Sequence, residues 1–237
     1  MNDRLNVQAI FDSIDGEENG FRGAGELTTF IRLKGCNLNC QWCDTKYAQE
    51  SKPENWMTLD EIIELVHFPK VTITGGEPLL KKAAVEKLCS KLIYSCHNGH
   101  PKISIETNGS IEPTYFTHSI AYIVDYKLPS SGMMGRMNSL AFSSLRPCDV
   151  IKFVISDMEN YNYAKMLISE HDNWQARKVF SPAIEIKQVT PIFDKVYNAV
   201  DITWPRQLAE MMIRDEVNAQ FSLQIHKILW PGSKEER

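Results

Sequence analysis

Val71-Thr72-Ile73-Thr74-Gly75-Gly76-Glu77-Pro78-Leu79-Leu80 is the stretch that decides the fold. A β-branched run ends in a glycine pair, and Pro78 then opens a helix on which Leu80, Ala84, Leu88 and Leu92 recur at helical spacing. The glycine pair lets backbone approach a ligand closely where the strand ends. Strand, tight turn and helix in that order make a βα unit, and the unit recurs along the chain. Further strands are predicted over residues 28–33, 103–106, 121–125, 150–155 and 183–189, most of them too apolar to be half-exposed, as parallel strands covered on both faces are. Leu59, Ile62, Ile63 and Val66 form a helical stripe behind Thr58 as N-cap, with Glu61 completing a capping box. Trp204, Leu208, Met211 and Met212 share one helical face and read as core. A last β-like run over residues 221–225 precedes a short polar tail. About six strands, each followed by a helix or long loop, predict an α/β fold: a partial, compressed (β/α)6-type barrel formed by a single domain over residues 1–237.

Such folds place their chemistry at the C-terminal ends of the strands. Polar residues gather there: Cys36 after the first strand, Gly75 to Pro78 after the second, Thr107-Asn108-Gly109 after the third and Tyr126-Lys127 after the fourth. Three of the six cysteines, Cys36, Cys40 and Cys43, fall within eight residues, a clustering that favours metal ligation over disulfides. Three thiolates can hold three irons of a cubane cluster and leave the fourth iron open for substrate chemistry. A closed structural site would need a fourth ligand, for which Asp44, His67 and Cys89 are the candidates. Cys89, Cys96 and Cys148 lack comparable spacing and read as small buried hydrophobes, with Cys96 to His100 as a helix end and turn.

Composition narrows the partners. Lys plus Arg total 26 against 30 for Asp plus Glu, a net charge of -4, which argues against a nucleic-acid surface and for a small-molecule substrate. The N-terminus lacks an apolar signal segment, and no stretch approaches the roughly 18 apolar residues of a membrane span, so a soluble, cytoplasmic protein is expected.

The cysteine loop, with Trp42 just before its last cysteine, together with Thr74-Gly75-Gly76-Glu77-Pro78, resembles the signatures of the radical S-adenosylmethionine superfamily. That resemblance implies a 4Fe-4S cluster on Cys36, Cys40 and Cys43, whose open iron chelates S-adenosylmethionine and cleaves it to a 5′-deoxyadenosyl radical. Over nearly the whole chain the sequence is similar to the 7-carboxy-7-deazaguanine synthase family of the queuosine and deazapurine pathway. The similarity runs through Ile14-Asp15-Gly16-Glu17, Arg32, Cys43-Asp44-Thr45, Glu106-Thr107-Asn108-Gly109, Lys127, Pro129 to Met133, Lys152 to Ile155 and Gln224-Ile225-His226-Lys227. It implies conversion of 6-carboxy-5,6,7,8-tetrahydropterin to 7-carboxy-7-deazaguanine with loss of ammonia. Carried over by position, Thr45 binds Mg²⁺, a hard cation that prefers oxygen. Ile14, Asp15, Gly16, Glu17, Arg32, Thr74 and His226 bind substrate, with Glu17 and His226 also catalytic. Trp42, Asp44, Gly75, Gly76, Glu77, Glu106, Asp125, Tyr126, Lys127 and Gln188 bind S-adenosylmethionine. A homodimer and a flavodoxin-like electron donor are expected on the same ground.

Two departures fall on the substrate turn: Asp15 stands where the family usually has glutamine, and Glu18-Asn19 precedes the glycine that normally follows the glutamate. The chain also continues through Gly232 to Arg237, whereas some relatives end close to Pro231. Two rival readings accompany this one. Asp15-Gly16, Gly20, Arg22 and Gly35 to Leu38 also resemble activases of glycyl-radical enzymes, and the cysteines alone would suit a noncatalytic iron–sulfur carrier or zinc-stabilised module.

Overall fold

The computed structural model describes residues 3–16, 24–50, 52–95, 102–115, 117–189 and 197–231. The strands are β1 (Arg4–Ile14), β2 (Leu27–Leu33), β3 (Trp56–Thr58), β4 (Lys70–Gly75), β5 (Lys102–Thr107), β6 (Ile120–Tyr126), β7 (Val150–Ile155), β8 (Arg177–Pro182), β9 (Glu185–Val189), β10 (Tyr197–Asp201) and β11 (Gln220–Phe221). Among the described residues nine of them form one sheet in the order β11-β8-β7-β6-β5-β4-β2-β1-β3. From β2 through β8 every neighbour is parallel, and the spatial order follows the chain order. Each crossover therefore steps the same way, which leaves the helices on one face of the sheet and the other face free to curl into a cleft. β1 is antiparallel to β2, and β3 to β1. The result is the partial barrel expected of the sequence.

Alternation along the parallel strands sorts residues between those faces. Ile31, Leu33, Val71, Ile73, Ile103, Ile105, Tyr122, Val124, Ile151, Phe153 and Phe180 join the main core, where they meet Ile62, Leu88, Leu92, Tyr161 and Leu208 of the covering helices. The other face is polar. Arg32 lies level with Thr74, and Asp125 with Lys152, so their side chains crowd the concave side. Thr58 caps the helix Leu59–Glu64 through a full capping box with Glu61, as its spacing predicts. Leu80 departs from its predicted stripe: residues 78–81 form a 3-10 turn that leaves it exposed, and Ala84, Leu88 and Leu92 carry the buried face of Lys82–Ser95. The face formed by Trp204, Leu208, Met211 and Met212 is core.

Two strand expectations need correction. The sixth parallel strand is Arg177–Pro182, not residues 183–189. Its leading Arg177-Lys178 disguises it, although Val179 and Phe180 are buried; the more β-rich segment that follows forms an antiparallel hairpin, β9 with β10. The β-like run expected over residues 221–225 ends after Phe221, and Ile225–Leu229 is a short helix that carries His226. β1 carries no expectation in the sequence because its pattern mixes Asn6, Gln8 and Asp12 with apolar residues. Cys96 to His100, Glu17 to Arg22 and the polar tail after Pro231 lie outside the described residues. No helix among the described residues is long and apolar enough to cross a membrane.

Candidate active site

The cysteine loop leaves the C-terminal end of β2 and is pinned on three sides by backbone. Gly35 N–H donates to the Ala48 carbonyl at 2.8 Å, Glu77 N–H to the Gly35 carbonyl at 2.8 Å, and Gln41 N–H to the Ser131 carbonyl at 3.1 Å. Gly75 and Gly76 belong to this packing. A Cβ on Gly76 would lie 2.0 Å from the Gly35 carbonyl oxygen, and one on Gly75, at φ 129°, would lie 2.2 Å from that of Leu33. The glycine pair is thus required by backbone meeting backbone beneath the cysteine loop, in addition to bordering the cavity.

That cavity, about 560 Å³ in volume, is where the sequence-predicted residues meet. Cys36, Cys40, Cys43, Trp42, Asp44 and Thr45 border it from the loop; Ile14, Asp15 and Gly16 from the end of β1; Arg32, Thr74, Gly75, Gly76, Glu106, Asp125 and Lys127 from the parallel strands; and His226 from the C-terminal helix. Of the candidates for a fourth ligand only Asp44 borders it. Cys89 is fully buried in the outer core, and the His67 ring pairs with Asp12 at 2.6 Å.

The charged groups of the cavity hold one another. Lys127 lies 2.9 Å and Lys152 3.7 Å from Asp125. Burial works against both charges of the Asp125–Lys127 pair, yet their mutual attraction wins: Asp125 titrates below the ordinary carboxylate range and Lys127 above the ordinary ammonium value. The Lys127 ammonium lies 5.7 Å from the centre of the Trp42 ring, whose indole N–H donates to Ser130. Desolvation in the cleft pushes the Asp44 carboxyl up, but Lys227, 2.9 Å away, with Lys152 and His226, outweighs it and brings it down to about 2. Thr74 Oγ1 donates to Glu106 at 2.6 Å. The Arg32 guanidinium lies 5.0 Å from the centre of the Phe11 ring and donates to the Tyr47 hydroxyl.

Two predicted cofactor residues stand away from the cavity. Glu77 is buried, and its carboxylate accepts from Thr107 Oγ1 and Asn108 N–H at 2.7 Å and from Leu79 N–H at 2.9 Å, tying the glycine turn to the loop after β5. Tyr126 packs against Phe142, Phe153 and Trp174 on the outer face, because its neighbours Asp125 and Lys127 point inward. Glu17 lies outside the described residues, as does the side chain of Gln188, whose backbone pairs with Asn198 in the β9–β10 hairpin. Phe30, Lys152, Gln224 and Lys227 also border the cavity; the last three lie in stretches that carry the family resemblance, but the sequence assigned none of the four a role. Lys152 had a signal: it interrupts the apolar run Val150 to Ile155 at an inward position.

The donor set fits a multi-iron cluster. Burial pushes the Cys36 and Cys40 thiols up, so metal binding there displaces protons. Leu38 N–H and Asn108 Nδ2 are aimed at Cys36 Sγ, at 3.5 and 3.6 Å, as donors to a thiolate ligand would be. Among the described residues no three His, Cys, Asp or Glu side chains gather closely enough for a single metal ion.

Residues 30–126 match the radical SAM superfamily. That match, borne by the same fold and cavity, makes this a radical S-adenosylmethionine enzyme, a class that carries a 4Fe-4S cluster. The crystal structure of QueE from Escherichia coli shares the fold, with a TM-score of 0.64 at 21% identity over 93% of each chain. The 7-carboxy-7-deazaguanine synthase of Clostridium acetobutylicum is 34% identical over 94% of this chain and 95% of its own, and that of Koribacter versatilis is 33% identical over 95% and 97%. The chain belongs to the 7-carboxy-7-deazaguanine synthase family.

Proposed function

We propose that this chain converts 6-carboxy-5,6,7,8-tetrahydropterin to 7-carboxy-7-deazaguanine with loss of ammonia. One observation carries the reading: a single cavity joins the three thiols to Arg32, Thr74 and His226. The bound cluster would supply the electron that cleaves S-adenosylmethionine. Arg32, steadied by Phe11 and Tyr47, suits a two-pronged charge-assisted bond to the substrate carboxylate. Thr74, Glu106 and, beyond the described residues, Glu17 would hydrogen-bond the pterin's polar edge. His226, against the Ile14 to Gly16 turn, would hold substrate and move a proton. Trp42, Asp44, Gly76, Asp125 and Lys127 would seat the cofactor, and Thr45, whose hydroxyl lies 3.6 Å from Cys43 Sγ, would bind Mg²⁺ beside it. The homodimer and the flavodoxin-like electron donor are inferred from the family likeness, which also speaks against the activase reading.

Anaerobically reconstituted protein given dithionite, S-adenosylmethionine and the pterin should form the deazaguanine, faster with Mg²⁺ than with a chelator. Cofactor cleavage with the pterin left intact would overturn the substrate assignment and leave only the superfamily.

A further inference from the structure

Asp15 is 2% exposed, and a carboxylate so buried needs a counter-charge. It has one in Lys70, the first residue of β4, which is completely buried and forms an ion pair with it from 55 positions away in the chain. Burial pulls the Lys70 ammonium down to about 8, with Glu106 opposing the fall. Its own carbonyl accepts from Thr28 Oγ1 at 3.2 Å, so the lysine's backbone is fixed to β2. The backbone of Asp15 is held twice as well: its N–H donates to the Glu26 carbonyl and its carbonyl accepts from Gly25 N–H, both at 2.7 Å.

The next residue passes this anchorage on. The Gly16 carbonyl accepts from Ile225 N–H at 3.0 Å, which docks the C-terminal helix on the turn. Gly16 also lies so close under the His226 ring that a Cβ there would be 2.3 Å from Nδ1. Direct contacts thus run from Lys70 through Asp15 and Gly16 to His226, from the start of one strand to the far wall of the cavity.

We infer that Lys70 is a positioning residue, acting through Asp15 to set the turn on which His226 rests, and that the two charges work as one unit. The inference rests on the proposed role of His226 in holding substrate. Breaking either half takes the ion-pair partner from a buried charge, whereas removing both removes the pair as a whole, so the two substitutions are coupled and not independent.

A cycle of Lys70→Met, Asp15→Asn and the double variant tests it. In reconstituted protein Lys70→Met should raise KM for the pterin about tenfold and leave formation of 5′-deoxyadenosine without pterin unchanged. The double variant should be no worse than Asp15→Asn alone. In the apo protein, diethylpyrocarbonate should modify His226 about threefold or more faster in each single variant, with exposed His67 unchanged as the internal reference. Effects that multiply in the double variant, pterin turnover and uncoupled cofactor cleavage falling in parallel, or both histidines becoming reactive together would overturn the inference. Should Lys70→Met not fold, Asp15→Asn against the double variant gives the same decision. Should wild-type protein leave the pterin intact, the functional reading fails, while His226 reactivity still decides the positioning claim.

Discussion

The two faces of the same strands follow opposite rules. On the outer face Tyr126, Phe153 and Phe180 lie in register across β6, β7 and β8 and are sealed against aromatic and aliphatic partners. One residue to either side, Asp125, Lys127 and Lys152 place three formal charges on the inner face, where burial opposes those of Asp125 and Lys127. An apolar layer that buries surface without direction stabilises the fold, while a polar layer that costs desolvation is retained for what it can bind. The contrast teaches that stability and chemistry are separated by one step along a strand.

The largest expected effect comes from the inner face. Cys40→Ala should abolish cofactor cleavage and product formation while the thermal unfolding of the apo protein stays near wild type, measured by circular dichroism. The reverse is expected outside: Phe153→Ala should lower stability by about 3–5 kcal/mol in urea titration, because a large ring leaves a cavity in a fully buried layer. Glu77→Gln sharpens the comparison, since Glu77 belongs to a conspicuous motif yet faces the protein. Its carboxylate accepts three hydrogen bonds, so the amide should cost about 1–3 kcal/mol of stability, with unchanged S-adenosylmethionine affinity in the folded fraction. Weakened cofactor binding at full stability would instead make it a cavity residue. The smallest effect is at Arg32, where Arg32→Lys keeps the charge but loses the planar fork. KM for the pterin should rise about tenfold, roughly 1.4 kcal/mol, with kcat little changed.

What could be read in the sequence was local. The cysteine spacing, the glycine turn before Pro78 and the capping box at Thr58 are each set by neighbours a few positions apart, and the structure places them as turn and strand chemistry requires. The concave polar face was legible in part, because a polar residue at the end of a buried strand, such as Asp125 or Lys127, stands out from its run. Charge hid the sixth strand, whose Arg177-Lys178 start resembles a loop. Short apolar runs hid the C-terminal helix, since Ile225 to Leu229 has too few residues for periodicity to tell helix from strand. Lys70 was illegible for a different reason: a lysine before a strand reads as surface, and only the fold brings Asp15 to it. Tyr126 shows the same limit, since adjacency to two inner residues in the chain places it outside.

The cysteine triad and the residues proposed to hold the pterin line one cavity. That they act together is tested most directly by giving the reconstituted protein a pterin deuterated at its reduced ring carbons, then measuring deuterium in the 5′-deoxyadenosine by mass spectrometry. Transfer of deuterium together with formation of 7-carboxy-7-deazaguanine is the predicted result; unlabelled 5′-deoxyadenosine with the pterin recovered unchanged would contradict it.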